Sequence, residues 1–169
     1  MRSTSVALLH VQEDSMSAAI RLLAIALIVF SSTSITLWAF SGASGSEHEL
    51  FEAANRERHR QGLSTLKWDD SLAAAARKHA AEMLKHNSVS HQFPGEPSLP
   101  TRAHQAGVRF TWISENVDQG RGAEIIHDRL MKSPLHRANI LDRDMDTVGV
   151  GVAQGKGQLF VVEDFSKAE

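Results

Sequence analysis

Apolar residues recur along this chain at two spacings, and one run lacks a polar face altogether. From Ile20 to Phe40 the only charge is Arg21, and Leu22 to Phe30 are apolar throughout. The small residues Ser41 and Ala43 follow. Charge, apolar run and small residues in that order make a signal peptide, with cleavage after Ala43. Uncut, residues 20–40 are long enough to span a bilayer and would anchor the chain. Ser31 to Ser34 dilute the run and favour the cleaved signal. Glu13 and Asp14 in residues 1–15 make a poor lead-in, so Met16 is read as the true start of residues 16–43.

Beyond Ala43 the helical period takes over. Leu50, Phe51 and Ala54 form one stripe of a helix over 47–61, which Gly62 stops. Leu63 to Trp68 reads as a connection. Asp69 or Asp70 caps a second helix running to about His86, with Leu72, Ala75, Ala76, Ala80, Met83 and Leu84 on its core side. Residues 86–100 are a loop rich in Ser, Pro and Gly. A short helix over 101–106 ends at Gly107, and residues 108–117 are partly extended. A fourth helix spans about 123–132, and Pro134 opens a fifth turn or helix through Leu141. The period then changes to two. Residues 147–153 and 158–165 read as strands around a Gly155-Lys156-Gly157 turn, a C-terminal hairpin. Helices followed by late strands imply an α+β fold. Gly149 and Gly151 alternate in the first of these strands, where small residues let another backbone approach.

The chain has 169 residues, enough for one domain and an appendage, and a net charge of −2. That balance gives no basis for a nucleic-acid partner or attraction to an anionic membrane. The membrane enters only through the N-terminal segment. Removing residues 1–43 takes Arg2, Arg21, Glu13 and Asp14 and leaves the balance unchanged. There is no cysteine, which excludes disulfides and thiolate metal sites. No HExxH, no GxSxG and no phosphate loop is present, so the standard zinc-protease and serine-hydrolase patterns find no support. Asn116 and Asn139 read as loop or cap hydrogen-bonders. Arg137 reads as a salt-bridge partner. His48, His59, His79, His86, His104 and His127 carry no motif and read as surface or helix residues.

Several segments, in order, resemble the bacterial branch of the CAP superfamily, the SCP or pathogenesis-related-1 type. They are Asn55-Arg56-Glu57-Arg58 with Gly62-Leu63 and Leu66-Lys67-Trp68, Ser90-His91, Arg102 with Ala106-Gly107, and Glu115-Asn116-Val117. The run Ser133-Pro134-Leu135-His136-Arg137-Ala138-Asn139-Ile140-Leu141 follows, then Val148 to Val152 and Glu163-Asp164-Phe165. The resemblance covers about residues 47–166. It implies a three-layer α-β-α sandwich whose cleft carries His91, Glu115 and His136. It also implies extracytoplasmic binding of small apolar molecules, such as sterols or fatty acids, or of an envelope component. Ser133 stands where many relatives have a second glutamate, Ser114 and Leu135 where they have glycine, Leu130 where they have tryptophan, and Glu163 where they have glutamine. The added Cβ at Leu135 is expected to crowd the cleft or shift its backbone, and Glu163 is a candidate to restore a carboxylate near it.

Two imidazoles and a carboxylate have the chemistry to hold zinc or another divalent metal, with His91 and His136 as ligands. Their spacing in sequence says nothing about convergence, which rests on the resemblance alone. The reading adopted is a non-catalytic binding module that requires no cofactor, with Glu115 orienting the two histidines. A metal-dependent hydrolase or peptidase and an inert envelope or secreted interaction protein are the alternatives. The sequence assigns no oligomeric state.

Overall fold

The computed structural model describes residues 45–169. The signal or anchor segment and the Met16 start lie outside the described residues. Among the described residues, no helix is long and apolar enough to cross a membrane.

Helix α1 (45–60) ends at Gly62, whose φ of +69° suits a residue without Cβ. A two-residue strand β1 (Lys67–Trp68) follows, then α2 (Asp70–His86). Asp69 caps α2 by accepting a hydrogen bond from the Leu72 amide at 2.8 Å. Asn87, in the left-handed region, closes the helix with its amide on the Leu84 carbonyl. The chain continues through α3 (Leu99–Gln105), β2 (Phe110–Gly120), α4 (Ala123–Lys132) and α5 (Pro134–Ile140). The hairpin β3 (Thr147–Gly155) and β4 (Gln158–Ala168) completes it, turning on Lys156 and Gly157, both with positive φ.

The sheet has the order β1-β3-β4-β2. β1 runs parallel to β3, and β4 pairs antiparallel with both β3 and β2. The hairpin expected from the sequence is thus the centre of a four-stranded sheet. The connection expected over 63–68 contains an edge strand, and the partly extended 108–117 segment is a full strand. β1 escapes a periodicity argument because two residues are too few to alternate.

Pleating sends successive side chains to opposite faces. On one face Val148, Val150, Val152, Leu159, Val161 and Phe165 pack under α1, α4 and α5, which contribute Leu50, Ala54, Ile126, Leu130 and Ile140. Full burial of each large aliphatic side chain stabilises the fold by roughly 1.5–3 kcal/mol. On the other face Val117, Phe160 and Val162 meet Ala76, Ala80 and Met83 of α2. The result is the expected α+β, three-layer α-β-α sandwich. The two glycines of β3 bring α2 down onto the sheet. A Cβ at Gly149 would stand 2.2 Å from the Ala73 nitrogen, and one at Gly151 would stand 2.2 Å from the Ala76 carbonyl carbon.

Polar groups lock the layers in register. Arg58, fully buried on α1, donates to the carbonyls of Ser64, Ile140, Asp142 and Met145 at 2.7–3.0 Å. Glu47 binds Arg77 of α2 at 2.6 and 2.8 Å and accepts from the Val152 amide of β3.

A histidine-carboxylate-arginine network on the edge strand

Glu115 lies on β2, the edge strand of the sheet, and faces the α2 side with its side chain only 3% exposed. His91, in the segment that returns from α2, places Nδ1 2.8 Å from Glu115 Oε1. Arg102 of α3 donates from Nη2 to Glu115 Oε2. Its Nη1 donates to the carbonyls of His91 and Pro97 at 3.2 Å each. The returning segment is therefore tied to β2 twice, through an imidazole and through a buried guanidinium.

Behind this pair stands His79 of α2, fully buried. Its Nε2 donates to the Ser90 carbonyl at 2.8 Å, and its Nδ1 lies 2.6 Å from Glu96 Oε1. Glu96 Oε2 accepts the Phe93 amide. His79 Nε2 is also 3.9 Å from Glu115 Oε2. His79 is a helix residue, as the sequence suggested, and what sequence reasoning missed is its burial in this network. The available signal was its place three residues after Ala76 and four before Met83, on the core stripe of α2.

A second carboxyl group approaches Glu115 from the sheet. Asp164 of β4 is the direct partner of Glu115 in the strand register. It is fully buried, and neither of its oxygens has a hydrogen-bond partner among the described residues. Burial and the neighbouring Glu115 push its carboxyl well above the ordinary range, with Arg102 opposing. Two carboxyl groups this close cannot both ionise at low cost, so the shift favours the protonated form of Asp164. Hydrogen bonding to Glu115 raises the His91 imidazole, against desolvation.

His136 is placed differently. It sits on α5, whose Ile140 packs on the opposite face of the sheet from α2. Among the described residues its imidazole makes no hydrogen bond or ion pair; its main-chain carbonyl accepts from Asn116 Nδ2 at 3.1 Å. Asn116 also donates to Glu163 Oε2, and Asn139 donates to Asn116 Oδ1 and the Glu115 carbonyl. The two asparagines are the hydrogen-bonders the sequence suggested, and they moor α5 to β2. His91 and Glu115 come together through their side chains, while α5 reaches β2 through the asparagines and not through the His136 ring.

Three further expectations need correction. Leu135 is 81% exposed within α5, so its side chain crowds nothing. Glu163 lies on the face of the sheet opposite Glu115, buried beside Asn116, and adds no carboxylate to the network. Arg137 makes no ion pair among the described residues. As for a metal, no group of three His, Asp or Glu side chains among the described residues is arranged to hold one.

The three-layer fold with this network on its edge strand defines an SCP-type domain. The sequence model described as CAP, the Cysteine-rich secretory protein family, matches residues 51–165, and the chain belongs to that family. It does so without a single cysteine. YkwD, an uncharacterized protein of Bacillus subtilis, is 32% identical over 123 residues, covering 72% of this chain and 48% of its own length. YlbC, an uncharacterized membrane protein of the same organism, is 31% identical over 109 residues, covering 63% of this chain and 31% of its own. This chain thus spans half or less of the curated relatives it matches. Among solved structures, an extracellular SCP-domain protein of Bacillus anthracis superposes with a TM-score of 0.66 at 26% identity, covering 74% of this chain and 41% of that one. An outer surface protein of Borrelia burgdorferi superposes with a TM-score of 0.69 at 19% identity, covering 74% and 94%, a likeness of fold alone.

Proposed function

We propose that this domain is a non-catalytic, extracytoplasmic binding module that receives a small apolar ligand between α2 and the 93–97 turn. The observation that carries this reading is the cleft there, about 760 Å³, with Ala75, Ala81, Phe93, Pro94 and Pro97 in its lining. That size and partly apolar lining suit a small-molecule site. Glu96 and Arg102 also line it, so the buried network forms the wall of the cleft. Both Glu115 oxygens are engaged, one by His91 and one by Arg102, which leaves the carboxylate as a structural tie. The extracellular and outer-surface descriptions of the structural relatives support action outside the cytoplasm.

The test is displacement of a fluorescent fatty acid and a fluorescent sterol from the full chain. Binding of one probe is expected to survive His136→Ala and to fall at least tenfold in Ala81→Trp, which fills the cleft from an exposed helical position. Binding unaffected by Ala81→Trp, or absent for both probes, overturns the reading.

One observation favours hydrolysis as a second reading. The His91 imidazole is held by a carboxylate yet its side chain is 62% exposed, the arrangement of an acid-base histidine. Turnover of ester or peptide substrates that disappears in both His91→Ala and Glu115→Gln would establish that reading in place of the first. A zinc titration by calorimetry, beside His91→Ala/His136→Ala, separates the metal question. Without a three-residue ligand group, no tight one-equivalent binding is expected.

A further inference from the structure

The net charge of the chain conceals a segregation of charges around α4. Glu124 and Asp128 turn toward α1, where they line a groove over His127 together with Glu49 and Glu57. Ile125, Arg129 and Lys132, four and three residues apart, share the other side of the helix. Arg129 shows what that side faces. It donates to Asp118 Oδ2 at 2.7 Å and to the Gln119 carbonyl, both on the edge strand β2.

α5 continues this surface along β2, held by Asn116 at the His136 carbonyl and by Asn139. Side chains alternate along the strand, so Trp112 emerges on the same side as Asn116 and Asp118. Lys167 of β4 stands directly beside Trp112 in the register. Four large hydrophobic side chains are exposed among the described residues, and three belong to this side: Trp112 at 62%, Ile125 at 57% and Leu135 of α5. A lone exposed apolar side chain needs no explanation, but several gathered on one side of a small domain mark an interaction surface. The free charges beside them have one sign. Lys132, Arg137 and Lys167 are exposed and make no ion pair among the described residues. Asp118 is already bound by Arg129.

We propose that the α4–α5 side of the β2 edge docks on an anionic lipid surface. An indole, apolar with one N–H, suits the headgroup level of a bilayer. Exposed leucine and isoleucine gain by leaving water there, and unpaired lysine and arginine gain from the lipid phosphates. Uncut, residues 20–40 would hold the chain at a bilayer, and only residues 41–44 separate that run from α1. The cleft beside α2 lies on the other face of the sheet, so docking leaves it open to solvent.

The experiment reads Trp112 alone, in the full chain carrying Trp38→Phe and Trp68→Phe, its fold checked by circular dichroism. The protein is reconstituted in vesicles of phosphatidylcholine, or of phosphatidylcholine with about one third phosphatidylglycerol. With phosphatidylglycerol, Trp112 emission should shift to the blue and be quenched by lipid brominated on its acyl chains. Phosphatidylcholine alone should produce neither effect, and added salt should reverse both. The exposed-site variant Lys132→Gln/Arg137→Gln/Lys167→Gln should lower the ratio of docked to free domain about a hundredfold, near fivefold for each charge. Emission that ignores phosphatidylglycerol, or a triple variant that docks like its parent, overturns the proposal. Equal quenching in both lipids also overturns it, because anchoring by the N-terminal run would then account for the contact.

Discussion

Replacing Glu163 by glutamine should make the protein progressively more stable, relative to the unaltered chain, as pH rises from acid to neutral. Glu163 is 1% exposed on the central strand β4, with Oε2 accepting from Asn116 and Oε1 unpartnered. Burial raises its carboxyl from 4.5 to about 7, with the Asn116 hydrogen bond opposing and Asp118 adding to the rise. Between those two pH values the unfolded chain has released the proton and the native state still holds it. Stability therefore falls as pH rises across this window and levels off above 7. At about 1.4 kcal/mol per pH unit, the full loss is about 3 kcal/mol. A glutamine carbonyl accepts from Asn116 as Glu163 Oε2 does, and glutamine has no proton to lose. Below the window the neutral acid leaves one O–H unmatched and the amide leaves an NH2 unmatched, and the two should differ by no more than about 1–3 kcal/mol, an offset that does not change with pH. Urea unfolding of both proteins at pH 4.5 and pH 8 isolates this group, because every other titration cancels in the difference. The advantage of Glu163→Gln should grow by about 3 kcal/mol between the two conditions. A difference independent of pH would mean that Glu163 is ionised in the native state throughout, and would refute the reasoning.

Three more outcomes follow from the packing and the network. Arg102→Met should cost about 3–5 kcal/mol, because it leaves Glu115 buried beside Asp164 without its cation, and adding Glu115→Gln should recover part of that loss in a double-mutant cycle. Gly151→Ala drives a Cβ to 2.2 Å from the α2 backbone and should cost roughly 3 kcal/mol or more, or abolish soluble expression, whereas Gly45→Ala meets nothing within 4 Å and should change the thermal midpoint little. The His91 ring should titrate above 6.5 by NMR and move back down in Glu115→Gln. The stability His91 contributes is then fully present in acid and lost as pH rises through its native midpoint, and an unmoved His91 titration in the variant would show that Glu115 does not set it.

Much of this was written locally. The core stripe of α2, the Asp69 cap, the Gly62 stop, Pro134 at the head of α5 and the Lys156-Gly157 hairpin depend on neighbours within a few residues. Dihedral preference and three- or two-residue periodicity suffice to read them. The close approach at Gly149 and Gly151 was legible too, because alternate glycines in a strand leave room that another backbone can fill. Of the site, His91 and Glu115 were found through motif resemblance.

The rest is decided by contacts between distant segments. Lys67 and Trp68 become a strand only because β3, eighty residues later, offers them hydrogen-bond partners. His79 looks like any polar residue on a helix until the returning segment brings Ser90 and Glu96 over it and buries it. Asp164 reads as a polar interruption of an apolar strand until the β2 register sets it against Glu115. His127 becomes a groove floor only once α1 lies beside α4. In each case a charge or hydrogen-bonding group takes its chemistry from desolvation and from its partners, and periodicity along the chain carries no information about either.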